Sequence, residues 1–227
     1  MKSTLSRLYL SSAVLLLSTQ AFAQQTVETG TVLPEVVVTA QKTAQTLEQV
    51  PASVSTIDGQ FIQQTGAYDF TEMQNYSANT SIQMSPSSSQ VNIRGLGTTN
   101  EDPAADPSVG TIVDGVYYAR SSFLTGFFYD IDRLEVLRGP QGTLFGKNST
   151  AGLLNLVTRE PTEDFGTNWN VLHGSNGMTS IRPALTLPIG SKLSVRFAGN
   201  FSTIDGVEYN TDLNRPENNP RQNSWRI

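Results

Sequence analysis

The sequence predicts an α+β domain followed by the first antiparallel strands of a transmembrane β-barrel. Three observations carry this. From Val50 to Arg159 short strand-like runs alternate with capped helical stretches. After Glu160-Pro161 come extended runs with one apolar and one polar face, long enough to cross a bilayer. The chain also opens on an export signal.

The signal is Met1 to Ala23. Lys2 and Arg7 lie at its front, an apolar run extends from Leu8 to Leu17, and Ala21-Phe22-Ala23 supplies the small-residue cleavage pattern, with cleavage after Ala23. That run is far shorter than the roughly 20 residues of a spanning helix. Without Lys2 and Arg7, 13 of the 15 basic residues remain against 20 acidic ones, so the mature chain is acidic and argues against nonspecific nucleic-acid binding. The chain has no cysteine, so packing rather than disulfides must hold an exported protein of this size, which fits a bacterial envelope. The mature sequence has no helical span, so any membrane passage would be made by strands.

Gln24 to Val32 is a polar lead-in. Leu33-Pro34-Glu35-Val36-Val37-Val38-Thr39-Ala40 follows, a strong β signal between linker-like flanks. It reads as a β-prone segment on a mobile tether, free to pair with another sheet; an ordinary first strand of the domain is the alternative. Val54 to Ile57 is a short strand, and Asp58 caps a helix carrying Phe61 and Ile62 that stops at Gly66. Asp69-Phe70-Thr71-Glu72 has capping-box spacing and predicts a second helix to about Asn75. Ser81–Met84 and Val91–Arg94 are strands around a serine-rich loop, the second ended by Gly95-Leu96-Gly97. Thr98 to Ser108 is an acidic loop. Gly110–Val113 and Val116–Tyr118 flank Asp114-Gly115, a type I′ hairpin signal.

Asp130 to Arg159 holds two strand runs around a turn. In Ile131–Arg138 charged and aliphatic residues mix on both faces, which suits a strand whose charges have protein partners. Leu153–Thr158 is almost continuously apolar, as in a strand buried on both sides. Gly139-Pro140-Gln141-Gly142 breaks the pairing between them. Farther on, Asn168–His173 is a possible strand. Ile181, Pro183, Leu185, Leu187 and Ile189 share one face, with Arg182, Ala184 and Thr186 on the other. After a turn at Pro188–Ser191, Leu193, Val195, Phe197, Gly199 and Phe201 oppose Ser194, Arg196, Ala198, Asn200 and Ser202. Periodicity alone does not separate a barrel from a soluble sandwich; the export signal and strand length favour the barrel.

Signatures of catalysis fail on inspection. Gly142–Lys147 resembles a phosphate loop, but Gln141 stands where its first glycine belongs and Asn148 follows the lysine. His173 is the only histidine, and with no cysteine there is no zinc-type ligand set. G-x-S-x-G is absent. Asp102 and Asp106 lack the order of a calcium loop, and Glu160, Glu163 and Asp164 read as a charged linker. No enzyme activity and no cofactor are expected.

In this order the motifs resemble the TonB-dependent outer-membrane transporters. PEVVVTA (34–40) is similar to the TonB box, VNIRGLGT (91–98) to the plug's IRG segment, and VGTIVDGVYY (109–118) and DIDRLEVLRGPQGTLFGKNSTAGLLNLVTREP (130–161) to two further plug motifs. The resemblance implies a signal peptide at 1–23, a flexible periplasmic segment at 24–49, an α+β plug with a small mixed sheet at 50–161, and the start of a barrel of about 22 strands at 162–227. It implies that Glu35, Val36, Val37, Val38, Thr39 and Ala40 bind TonB by strand addition. Arg94, Gly95, Asp114, Gly115, Arg133, Glu135, Arg138, Gly139, Pro140 and Gly142 are implied plug-motif residues, with Arg133, Glu135 and Arg138 facing a barrel wall that pairs with them. Glu101, Asp102 and Asp106 are candidate ligand contacts.

The implied function is TonB-powered import of a scarce nutrient, most often an iron–siderophore complex, across the Gram-negative outer membrane; partners are TonB, outer-membrane lipid, the chain's own barrel and the chelate. A non-transporting exported binding module with a plug-like fold is the alternative. The 62 residues after Phe165 suffice for about three strands at roughly 20 residues each. The expectation is therefore an amino-terminal fragment or truncated frame, whose last strands expose unpaired edges.

Overall fold

Capping and turn chemistry set the first elements. The computed structural model describes residues 37–39, 45–50, 52–84, 89–97, 106–118, 120–205, 208–212, 214–217 and 220–227; the signal at 1–23 lies outside them. β1 (Val37–Val38) pairs antiparallel with β2 (Gln45–Thr46), and a 3₁₀ turn follows at Leu47–Gln49. β3 (Ser53–Asp58) leads directly into α1 (Gly59–Gln64), whose cap Asp58 accepts from the backbone of Gln60 and Phe61. The second helix is a 3₁₀ helix, Phe70–Tyr76. Its capping box is displaced: Asp69 accepts from Thr71 N, while Glu72 reaches back to Tyr68 N, one residue before the cap. β4 (Thr80–Gln83), β5 (Gln90–Ile93) and β6 (Leu96–Gly97) form a three-stranded sheet. β7 (Val109–Val113) and β8 (Val116–Tyr118) make the expected hairpin, with Asp114 at φ 47° and Gly115 at φ 81°, the pair of positive values a type I′ turn needs.

A 3₁₀ helix at Ser121–Phe127 precedes β9 (Ile131–Arg138), and α2 (Gly142–Phe145) fills the turn before β10 (Gly152–Thr158). That short helix is not foreseen from the sequence; its amides at Leu144 and Phe145 turn back on Gln141 O. The main sheet runs β3-β9-β10-β7-β8, with β10 parallel to β7 and the other pairs antiparallel. β10 is central and buried on both faces, apart from the half-buried Val157, which is why its sequence is almost continuously apolar, with Asn155 the polar exception inside it. One face of the sheet carries the main core, where Leu134, Val136, Leu154 and Leu156 meet Ile62, Phe70, Met73, Leu124 and Phe128. The opposite face carries a second core of Ile112, Leu137 and Leu153, covered by Val38 and Val50.

The strands of the second half make a separate open sheet, β11-β12-β13-β16. These are Gly166–His173, Thr179–Pro188, Ser194–Thr203 and Arg221–Arg226, all antiparallel. A hairpin, β14 (Glu208–Asn210) and β15 (Arg215–Glu217), lies in the connection to β16. The polar and small positions are the buried ones, Ser180, Ala184 and Thr186 on β12 and Ala198, Asn200 and Ser202 on β13. Trp169, Val171, Ile181, Phe197, Phe201 and Trp225 are exposed. A soluble sandwich buries its apolar faces; this sheet does the reverse, so the geometry decides what periodicity left open.

Candidate functional site

Val37–Thr39 is docked on the main domain and paired with β2, where a mobile tether was expected. Val38 is fully buried because the second face of the main sheet needs an apolar cover. Glu35, Val36 and Ala40 lie outside the described residues. Thr39 follows Val38 onto the polar end of the same sheet face, where Arg133, Glu135 and Leu137 alternate along β9. Thr39 N donates to Glu135 Oε1 at 2.9 Å, and Arg133 Nη2 donates to Thr39 Oγ1 at 3.1 Å. Arg133 Nε donates to Glu135 Oε1 at 2.8 Å. Asn155, the cross-strand partner of Glu135, donates Nδ2 to Glu135 Oε2 at 2.9 Å. Glu135 is fully buried, so all its lone pairs must be met inside the protein. Burial works against the charge of Arg133, but the hydrogen bonds to Glu135 and Asp132 outweigh it and hold the guanidinium above its ordinary value.

Arg138 points elsewhere. Its guanidinium donates to Ser55 Oγ at 2.6 Å, to Ser77 Oγ at 3.2 Å and to Ala78 O at 3.0 Å. Burial first, and then the nearby Arg94 charge, lower its affinity for the proton. Among the described residues, Arg133, Glu135 and Arg138 find their partners within the plug and at Thr39 rather than on the strands of the second half. Arg133 and Glu135 sit two residues apart on one strand, so they face the same way and satisfy each other; Arg138 ties β9 to β3 and to the loop before β4.

The remaining motif residues are mostly backbone devices. Arg94 (φ 55°) and Gly95 (φ 76°) form the two-residue turn between β5 and β6, and Arg94 N donates to Asn79 O. Gly139 adopts φ 94°, and its N–H bonds to Ala151 O as the chain leaves β9. Pro140 is exposed and Gly142 opens α2. Asp114 Oδ1 accepts from Thr158 N and Oδ2 from Thr158 Oγ1, both at 2.8 Å, locking the β7–β8 turn to the end of β10.

Three arginines join the main domain to the strand sheet, and none was assigned a role from the sequence. Arg196 on β13 grips Asp130 with two nitrogens, Nε to Oδ2 at 2.7 Å and Nη2 to Oδ1 at 2.5 Å, the bidentate geometry of a strong pair. Arg226 on β16 adds a 3.4 Å contact to Asp130 Oδ2 and lies 5.0 Å over the Tyr129 ring. Arg182 on β12 donates to Ala67 O and Tyr68 O at 3.3 and 2.7 Å and stacks 5.5 Å over Phe128. Tyr129 packs between Ala184 and Ala198. The readable signal was an arginine among small polar residues on the face opposite the apolar one. A cavity of about 780 Å³ separates the domain from the strands; Thr39, Asp114, Asn155, Arg159, Arg196 and Arg226 are among its lining residues.

Of the candidate ligand contacts, Glu101 and Asp102 lie outside the described residues. Asp106 is exposed and accepts from Asn148 Nδ2 at 3.0 Å and Lys147 Nζ at 3.4 Å. No group of three or more metal-ligating side chains occurs among the described residues. His173 bonds Thr179 Oγ1 across the β11–β12 pair.

A small mixed-sheet domain gripped by arginines from the polar face of antiparallel strands, whose other face is apolar and exposed, defines a plugged strand wall of the outer-membrane type. Residues 46–153 match the family model described as the TonB-dependent Receptor Plug Domain. An iron-regulated outer membrane virulence protein of Vibrio cholerae is 27% identical over 204 residues, 86% of this chain and 31% of that protein. A vitamin B12 transporter of Vibrio vulnificus is 27% identical over 80% of this chain and 29% of its own length. The fold is similar to the ferric yersiniabactin uptake receptor of Yersinia pestis, with TM-score 0.62 and 23% identity over 75% of this chain and 27% of that one. Residues 46–153 thus form a TonB-dependent receptor plug domain, and the relatives that the chain resembles are outer-membrane receptors and transporters. The chain spans under a third of the length of the relatives it matches.

Proposed function

We propose that this chain is the plug-bearing part of a receptor that binds a scarce nutrient, an iron–siderophore complex above others, and imports it with energy delivered through TonB. The observation that carries the reading is the inverted burial of β12 and β13, polar face on the plug and apolar face outward. Lipid is the solvent that suits such a face. The domain division is 1–23 signal, 24–49 periplasmic segment with the box at 34–40, 50–161 plug and 162–227 strand wall. The iron-related names among the relatives support the chelate, while the vitamin B12 transporters among them keep the ligand class as wide as scarce nutrients. Asp106, with Glu101 and Asp102, is the proposed outward ligand contact.

TonB takes Glu35 to Ala40 as an added strand, so main-chain hydrogen bonds supply the affinity. Proline removes one backbone donor from that strand. In the full-length receptor, Val37→Pro is expected to abolish energy-dependent uptake and leave surface binding of the nutrient intact. Normal uptake by that variant, measured with radiolabelled nutrient in energised cells, contradicts the assignment.

A further inference from the structure

We propose that the outward face of β11, β12, β13 and β16 holds a seat for one acyl chain of a phospholipid in the periplasmic leaflet, over Pro183 and Gly199 and directly behind the strands that grip the plug. The inference rests on the reading of this face as lipid-facing and adds a discrete site to it. Proline and glycine are both poor residues for the middle of a strand, the one for its missing donor and the other for its backbone freedom. Here they stand opposite each other. The β12–β13 pairing stops after Ile181–Phe201 and resumes at Ala184–Ala198, so Pro183 and Gly199 fall in the gap. Glycine inside a strand marks a place where a ligand or another backbone comes close. The nearest side chain to the open face of Gly199 is the edge of the Phe201 ring.

Register sets the walls. Trp169 pairs with Pro183, and Gly199 with Trp225, so two indoles stand three strand spacings apart, roughly 14 Å, on either side of a floor almost without side chains. Phe201 closes one end of this trough, Leu185 and Phe197 border the other, and it encloses about 310 Å³. Arg226 also borders it but turns its guanidinium inward onto Asp130. A hydrocarbon chain fits such a surface, whereas a polar headgroup would lie there without partners. Leu185 and Phe197 lie toward the short connection between Pro188 and Ser194, and Phe201 toward the longer one after Thr203. Short turns are periplasmic in outer-membrane barrels, so the chain enters from the periplasmic leaflet and its end stops at Phe201. On the inner side of the same wall Ala184 and Ala198 pack on Tyr129, and Arg196 holds Asp130. The seated chain therefore backs the clamp on the plug.

The test uses the full-length receptor, purified in a non-ionic detergent and titrated with a phosphatidylethanolamine brominated near its chain ends, which quenches indole emission on contact. A receptor carrying Trp169→Phe and Trp225→Phe supplies the background, so the difference reports these two tryptophans. Quenching is expected to saturate near one lipid per receptor. Gly199→Leu fills the floor and is expected to raise the lipid needed for half-quenching about tenfold; its Cβ would lie 3.2 Å from the Phe201 ring edge, which can swing aside. Phe201→Ala removes the stop at an exposed position, is expected to raise the half-point several-fold, and carries the test if Gly199→Leu fails to fold. Unbrominated phosphatidylethanolamine is expected to compete and lipid A not to; equal competition overturns the leaflet assignment. Wild-type half-points in both variants, or quenching that never saturates, overturn the seat and leave the face in lipid. No quenching at any lipid level overturns the lipid-facing reading as well. Receptor pairs that Gly199→Leu dissociates, with no saturable lipid effect, give the trough to a second copy and overturn the lipid seat.

Discussion

Asp130 is where one side chain decides most. Its carboxylate is almost wholly enclosed, and it is answered by Arg196 and Arg226, both largely buried. Its backbone sits at φ 51°, a conformation Asp and Asn tolerate better than other non-glycine residues. Asp130→Asn therefore isolates the loss of charge, and leaving two enclosed guanidinium groups without their counter-ion is expected to cost roughly 2 to 3 kcal/mol. Asp130→Ala should cost about 1 kcal/mol more, from left-handed strain. The thermal midpoint of plug release from the full-length receptor, followed by protease access, checks both. This residue was legible only as a charge before β9, because its partners lie 66 and 96 positions away. For the same reason the contact of Thr39 with Arg133 and Glu135 was not legible: alternation places the two charges on one face but does not say that the segment at Val38-Thr39 covers that face.

Local rules carried the elements well. Asp114-Gly115 announced its hairpin, and β10 its central place. What local rules missed was the 3₁₀ form of Phe70–Tyr76 and the small helix after Gln141, where capping chemistry fixes the start of a turn but tertiary packing sets its pitch. Two glycines show how local and non-local constraints differ. A Cβ at Gly115 meets nothing within 4 Å, so Gly115→Ala is expected to cost only the conformational penalty of φ 81°, about 1 kcal/mol. A Cβ at Gly59 falls 2.0 Å from Ile131 O, inside the contact of α1 with β9. Gly59→Ala is expected to cost more, of the order of 3 kcal/mol, because backbone must move. Comparison of their unfolding midpoints tests the ranking; equal losses contradict the packing.

At the scale of the whole molecule, the plug and the strand wall share one interface built from small residues and arginine heads, with aromatic and aliphatic side chains on the far side. The amphipathic pattern was visible in the sequence, and the export signal and strand length favoured an outward apolar face; periodicity alone did not set it, and the plug packed on the polar face does. The most direct test is a nitroxide scan along β12 and β13 in the full-length receptor in a bilayer, recording collision with oxygen, which concentrates in lipid. The account predicts high oxygen access at 181, 185, 197 and 201 and low access at 180, 184, 198 and 202. The opposite alternation, with 180, 184, 198 and 202 open to lipid and the apolar set shielded, contradicts it.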